Sequence, residues 1–109
     1  MLNISFEEFK KLDLRTGKVL SAEIVPGSQN LLNLQIDIGS EKRQIIAGIA
    51  RYYEPKELIG KNFVIVTNLE PKKFMGVESQ GMILCAEGQD GEPVCLVPLK
   101  DVPPGSPVL

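Results

Sequence analysis

The densest group of side chains able to do chemistry lies in one stretch, Glu70-Pro-Lys-Lys-Phe-Met-Gly-Val-Glu-Ser-Gln-Gly81. Lys72 and Lys73 supply adjacent cations. Phe74 and Met75 supply a flat and a soft apolar surface, and Ser79 and Gln80 supply small polar donors. Cations for phosphates, apolar surfaces for bases and short polar groups between them are what recognition of single-stranded RNA requires. The competing account is a solvated loop with charged tips. Arg15 and Lys18 extend the positive surface if they face outward. Tyr52 and Tyr53 offer a further stacking surface, although one of them is expected in the core.

Other chemistries are poorly served. There is no His, which removes the commonest general base and the commonest metal ligand. No serine therefore has an imidazole to activate it. Neither G-x-x-x-x-G-K-[ST] nor G-x-G-x-x-G occurs. Cys85 and Cys95 are the only cysteines, too few for a zinc cluster or a disulfide framework. They lie symmetrically about Asp90 and can face each other across a hairpin as reduced, half-buried thiols. No metal, no cofactor and no catalysis are expected. The apolar runs Phe63–Val66 and Met82–Ala86 are too short to cross a bilayer, so no membrane is expected as a partner. The acidic start, Met1-Leu-Asn-Ile-Ser-Phe-Glu-Glu-Phe9, lacks a signal-peptide pattern. A cytoplasmic location follows as the expectation. With 12 Lys+Arg against 14 Asp+Glu, the net charge is −2. A nucleic-acid role must then rest on a local basic patch and on shape.

The 109 residues, 43% of them apolar and 24% charged, fit one globular domain. Ser5-Phe-Glu-Glu8 reads as a capping box opening a short helix over Phe6–Lys11. A strand follows from Leu14, with Gly17 predicting a bulge or bend. Pro26–Asn30 is a turn. Leu32, Leu34, Ile36 and Ile38 alternate with polar residues as a second strand, and Gln44–Ala50 is a third. Pro55 and Gly60 bracket a short helix, and Phe63–Leu69 is a fourth strand. Residues 70–81 show no periodicity and read as a long loop. Met82–Glu87 and Val94–Val97 are a fifth and a sixth strand joined by a turn. Three strands, a short helix and two more strands is the order of an OB-fold, a five-stranded Greek-key barrel. The sixth strand is a C-terminal extension beyond it. Together with the apolar, Pro-rich tail (Val102, Val108, Leu109) it leaves surplus apolar surface, which predicts a homodimer. The helix at Phe6–Lys11 is expected to help cover that surface.

Asp13-Leu-Arg-Thr-Gly-Lys-Val19, Ala47–Tyr53, Pro55–Gly60 and Asn68-Leu-Glu-Pro-Lys-Lys-Phe-Met-Gly-Val-Glu-Ser-Gln-Gly-Met82 resemble the tRNA-binding domain at the C-terminus of bacterial methionyl-tRNA synthetases. That domain also occurs as free-standing small proteins and as a synthetase beta subunit. The resemblance runs from about Phe9 to Val108. It implies an OB-fold, a homodimer, and structure-dependent tRNA binding as a non-catalytic accessory of a methionyl-tRNA synthetase catalytic chain. Carried over, the binding face includes Asn68, Lys72, Lys73, Ser79 and Met82, with Gly76 and Gly81 shaping the loop. Asn30 and Glu70 stand where many members carry Lys, and both changes remove positive charge. The alternatives are a chaperone-like protein-binding dimer of the same fold, whose members typically depart from the pattern at Gly76–Met82, and a synthetase assembly domain.

Overall fold

In the computed structural model, which describes residues 1–109, the alternating stretch becomes strand β2, Leu32–Asp37. Leu32, Leu34 and Ile36 are fully buried, while Asn33, Gln35 and Asp37 lie on the other face. β2 runs between β1 (Leu14–Ile24) and β3 (Lys42–Ala47). β4 (Asn62–Val66) pairs with the far side of β1, and the short β7 (Met82–Ile83) pairs with β4. The sheet order is β3-β2-β1-β4-β7, every pair antiparallel. β7 returns against β3, so the sheet is nearly closed, an all-β, OB-like barrel. Val19, Leu32, Leu34, Ile36, Ile45 and Ile65 fill its centre, and Leu58 of the short helix α2 (Pro55–Leu58) packs against them. Pro55 opens that helix, and Gly60 follows it with φ +85°.

Gly17 does not make the expected bulge. The register shift lies between Val19 and Ser21, around Leu20. Gly17 is required by packing: a Cβ there would stand 2.5 Å from Ile36 Cγ2 and 2.9 Å from Ile65 Cγ1. The N-terminal helix α1 spans only Phe6–Phe9. Ser5 Oγ accepts from the Glu8 amide at 3.1 Å, as the capping box predicts. Its aromatic residues stay outside, Phe6 at 69% exposure.

The stretch 70–81 departs most from its reading. It is a hairpin of β5 (Lys72–Phe74) and β6 (Val77–Ser79), whose three-residue strands are too short to show a period. The expected fifth strand breaks at Leu84. Its second half, β8 (Cys85–Glu87), leaves the barrel to pair with β9 (Pro93–Cys95). Beyond β9 the chain comes back along β1, where Pro107 bridges Arg15.

Cys85 and Cys95 are directly opposed as free thiols, the Cys85 thiol donating to Cys95 Sγ at 3.7 Å. The Leu96 amide donates to the Leu84 carbonyl, so the cysteines form the adjacent, non-hydrogen-bonded pair, in which side chains approach closely. The Cys95 amide, free of the ladder, donates to Tyr53 Oη at 3.3 Å. Burial, followed by the neighbouring Cys95, pushes the Cys85 thiol up to about 12. Replacing both cysteines by alanine is expected to cost on the order of 1–3 kcal/mol. Labelling the unfolded protein without reductant should recover both thiols; recovery of neither overturns the reduced state.

Candidate nucleic-acid interface

The β5–β6 hairpin turns on Met75 (φ 50°) and Gly76 (φ 80°). Two successive left-handed residues make the turn whose twist matches the strands it joins. Gln44 and Ile46 of β3 fix its root through four hydrogen bonds. The Gln80 amide donates to the Gln44 carbonyl (2.7 Å), and the Ile46 amide to Ser79 Oγ (2.9 Å). Gln44 Nε2 donates to the Glu78 carbonyl (2.8 Å), and the Gln44 amide to Gln80 Oε1 (3.1 Å). Arg43 clamps both ends, donating through one nitrogen to the carbonyls of Thr67 (2.7 Å) and Gln80 (3.0 Å). The tip therefore projects from a rigid base.

Lys72, Lys73 and Met75 are exposed. Lys72 Nζ sits 5.1 Å from the centroid of the Phe74 ring, a cation–π distance. Lys73 stands opposite Glu78 in the ladder, so part of its charge is answered within the hairpin. Beside the hairpin, Asn33 and Gln35 of β2 and Gln44 of β3 form a linked amide surface. Asn33 Nδ2 and Gln35 Nε2 both donate to Gln44 Oε1, at 3.2 and 3.3 Å. The turn between β1 and β2 meets the hairpin tip: Met75 Cε lies 3.5 Å from where a side chain at Gly27 would begin. In barrels of this order, oligonucleotides dock on the face of strands 2 and 3 between the loops that here are this turn and this hairpin.

Residues 14–107 match the family described as "Putative tRNA binding domain". The chain belongs to that family. It is 58% identical over 105 residues to the methionine–tRNA ligase of Archaeoglobus fulgidus, which covers 96% of this chain and 16% of that enzyme. It is 59% identical over 87 residues to the enzyme of Thermotoga maritima, covering 80% and 14%. The chain thus spans a small fraction of the length of the curated relatives it matches. Among solved structures, a protein related to methionyl-tRNA synthetase from Pyrococcus horikoshii superposes with a TM-score of 0.94 at 42% identity, covering all of both chains. The chaperone CsaA of Bacillus anthracis superposes at 0.91 with 34% identity, covering 99% of this chain and 100% of that one.

A member of this family is a non-catalytic binding module, and the remaining candidates divide by what already occupies them. Lys72, Lys73 and Met75 are accessible on the hairpin, Phe74 is half-buried beneath Lys72, and Met82 is exposed on β7. Ser79 is buried at 4% exposure and its hydroxyl is committed, accepting from Ile46 and donating to the Gly81 carbonyl. Gln80 is half-buried and bonded to β3. Asn68 ties the N-terminal segment to the end of β4: its Oδ1 accepts from the Asp13 amide (2.9 Å), and its Nδ2 donates to the Lys11 carbonyl (2.6 Å). Ser79 and Gln80 thus help to fix the hairpin root to β3, and Asn68, exposed, fastens the N-terminal segment. Ser79→Ala strips the buried Ile46 amide of its acceptor, so it should cost about 1–3 kcal/mol. Urea unfolding checks this, with hairpin loss expected before barrel loss.

Arg15 is turned to a different task. It pairs with Asp13 at 3.1 Å and donates to the Gly105 carbonyl at 3.2 Å. The Thr67 hydroxyl, 2.6 Å from Asp13 Oδ2, and then Arg15 hold that carboxyl below its usual range against the effect of burial. Lys18 lies apart from the hairpin, in a cleft with Lys61 and Lys100. Gly76 shapes the hairpin turn. Gly81, at φ +154°, lies against the Val66 carbonyl, where a Cβ would come within 3.0 Å. Asn30 is half-buried, with Oδ1 enclosed and without a hydrogen-bond partner in the protein. Sequence reasoning missed Arg43, Gln44, Asn33 and Gln35. Their only signal is their polar half of the strand alternation.

Proposed function

We propose that this chain captures tRNA as a homodimeric accessory module of a methionyl-tRNA synthetase in the cytoplasm, delivering it for aminoacylation. One observation carries the reading: the hairpin of a chain in the tRNA-binding family holds Lys72, Lys73 and Met75 exposed, with half-buried Phe74 under Lys72, on a root fixed to β3. Cations meet phosphates and the apolar tip meets unstacked bases. Met82, on β7 just after the hairpin, is also exposed. An electrophoretic titration with mixed tRNA over a range of salt tests the reading. Affinity should fall steeply as salt rises and differ little among tRNAs. Absence of binding at low salt overturns it.

Exposed Leu2, Ile4, Phe6, Val97, Leu99 and Leu109 support the dimer, since so much apolar surface calls for a cover. Light scattering at micromolar concentration should give twice the 12.0 kDa chain mass; the monomer mass contradicts it. The likeness to CsaA favours one second reading, a chaperone-like dimer that binds unfolded protein. A third, assembly onto a synthetase alone, predicts dimerisation without RNA affinity. Suppression of aggregation of a reduced, unfolded substrate, without any tRNA shift, would select the chaperone reading.

A further inference from the structure

The face that β1, β2 and β3 turn away from the core carries no aromatic ring on which successive bases could stack. In the ladders Ser21 opposes Gln35, and Gln35 opposes Gln44; directly opposed side chains share one face. Charges of both signs border this row. Lys18 and Lys42 flank Asp37 on one side of it, and Glu23 opposes Asn33 on the other. The centre is thus a neutral hydrogen-bonding surface. Its orientation is set by the hairpin. The Glu78 carbonyl can only accept, so the 2.8 Å bond it receives turns Gln44 Nε2 toward β6. Gln44 Oε1 is then the acceptor for Asn33 Nδ2 and Gln35 Nε2, at 3.2 and 3.3 Å. Gln35 Nε2 also donates to Asn33 Oδ1, at 3.2 Å. No amide of the three keeps both its oxygen and its nitrogen free, so none can grip a base edge bidentately, as Asn and Gln grip adenine. What Gln35 and Asn33 retain is a single acceptor, Gln35 Oε1, and a single donor, the second hydrogen of Asn33 Nδ2. A ribose 2′-hydroxyl both donates and accepts, and every nucleotide of RNA carries one whatever its base.

We propose that Gln35 and Asn33 hold ribose 2′-hydroxyls of the bound RNA, so that this face selects RNA by its sugar and not by its sequence. The proposal rests on the tRNA-binding reading and names the group that the β1–β3 face takes. Its test compares two probes, a tRNA transcript and the same transcript with 2′-fluoro in place of 2′-hydroxyl at its pyrimidines. Fluorine keeps the A-form sugar pucker but cannot donate to Gln35 Oε1. The parent should bind the fluoro transcript about fivefold more weakly, the loss of one net hydrogen bond. The salt slope should stay the same, because no phosphate contact is lost. The Gln35→Met/Asn33→Ala variant, first shown to keep the parent's unfolding midpoint, should bind both transcripts alike, with the parent's affinity for the fluoro form. The Lys72→Ala/Lys73→Ala variant is the control. It should bind both transcripts more weakly and preserve the parent's ratio between them. A parent that binds the two transcripts equally overturns the proposal while the tRNA-binding reading stands, and it does so without any variant. A folded Gln35→Met/Asn33→Ala variant that keeps the parent's ratio overturns it too, since the hydroxyls are then read elsewhere. A parent that binds neither transcript sinks both readings.

Discussion

Gly105→Ala is expected to detach the C-terminal segment from β1 and to cost about 3–5 kcal/mol, the sum of left-handed strain and of buried groups losing partners. Gly105 has φ +82°. A Cβ there would stand 2.2 Å from the Ile38 carbonyl oxygen, 2.8 Å from the Ile38 carbonyl carbon and 3.0 Å from Gly39 Cα. All three are backbone atoms of the β2–β3 connection, so no rotamer change relieves the clash. The segment bonds to the edge of β1 that faces away from β4 at Leu14 and Thr16. The Gly105 amide donates to the Thr16 carbonyl (2.7 Å), the Thr16 amide to the Ser106 carbonyl (2.9 Å), and the Val108 amide to the Leu14 carbonyl (2.8 Å). The Thr16 hydroxyl adds a bond to the Pro103 carbonyl at 3.0 Å. Thr16 is only 3% exposed, so losing the segment leaves its backbone and hydroxyl groups poorly paired. Gly91→Ala is the control: its φ is +77°, but nothing lies within 4 Å of the added carbon. That change should cost only the strain of a left-handed alanine, about 1–2 kcal/mol. Urea midpoints measure both, and hydrogen exchange at Thr16 reports the detachment. Equal costs for the two substitutions would show that the tail is not fastened through Gly105.

What could be read from the sequence depended on how far each pattern ran. β2 shows three buried Leu or Ile residues in strict alternation, and its position and facing follow directly. Ser5 and Glu8 announce α1 because capping is local chemistry. Gly17 shows the limit of local reasoning. A glycine within a strand allows a bulge or a close approach, and only the positions of Ile36 and Ile65 decide between them. The β5–β6 hairpin was hidden because three-residue strands carry no period and because Met75 is an unusual left-handed residue. At the site, the charged and apolar tip was legible by residue type. The tasks of Ser79, Gln80 and Asn68 were not, because their partners Ile46, Gln44, Lys11 and Asp13 lie far away in the chain. A short polar side chain looks the same in sequence whether it faces RNA or closes a tertiary hydrogen bond.

The Lys72→Ala/Lys73→Ala variant should weaken tRNA binding about tenfold or more near physiological salt, nearly equally for different tRNAs, because phosphate contacts carry affinity and little sequence information. Two lysines set an upper limit of roughly two units on the flattening of the salt slope per engaged hairpin. The fold places the two residues unequally. Lys73 faces Glu78 across the ladder, so a phosphate arriving there competes with a carboxylate already present. Lys72 faces Ser79, a neutral residue, and lies over the Phe74 ring, which orients the ammonium without neutralising it. Lys72→Ala alone should therefore account for most of the double variant's loss, and Lys73→Ala for the smaller part. Glu78→Gln should strengthen binding by removing a carboxylate that would repel a phosphate beside Lys73, with little effect on stability: Lys73 and Glu78 are ladder neighbours, the Glu78 side chain is exposed, and only its backbone carbonyl takes part in the bond to Gln44. Fluorescence anisotropy with labelled tRNA, on variants first shown to keep the parent's unfolding midpoint and mass, separates these outcomes. A double variant that binds as tightly as the parent would return Glu70–Gly81 to the status of a solvated hairpin. Equal losses for the two single variants would show instead that Glu78 does not restrain Lys73, and that the pair acts as one undivided patch of charge.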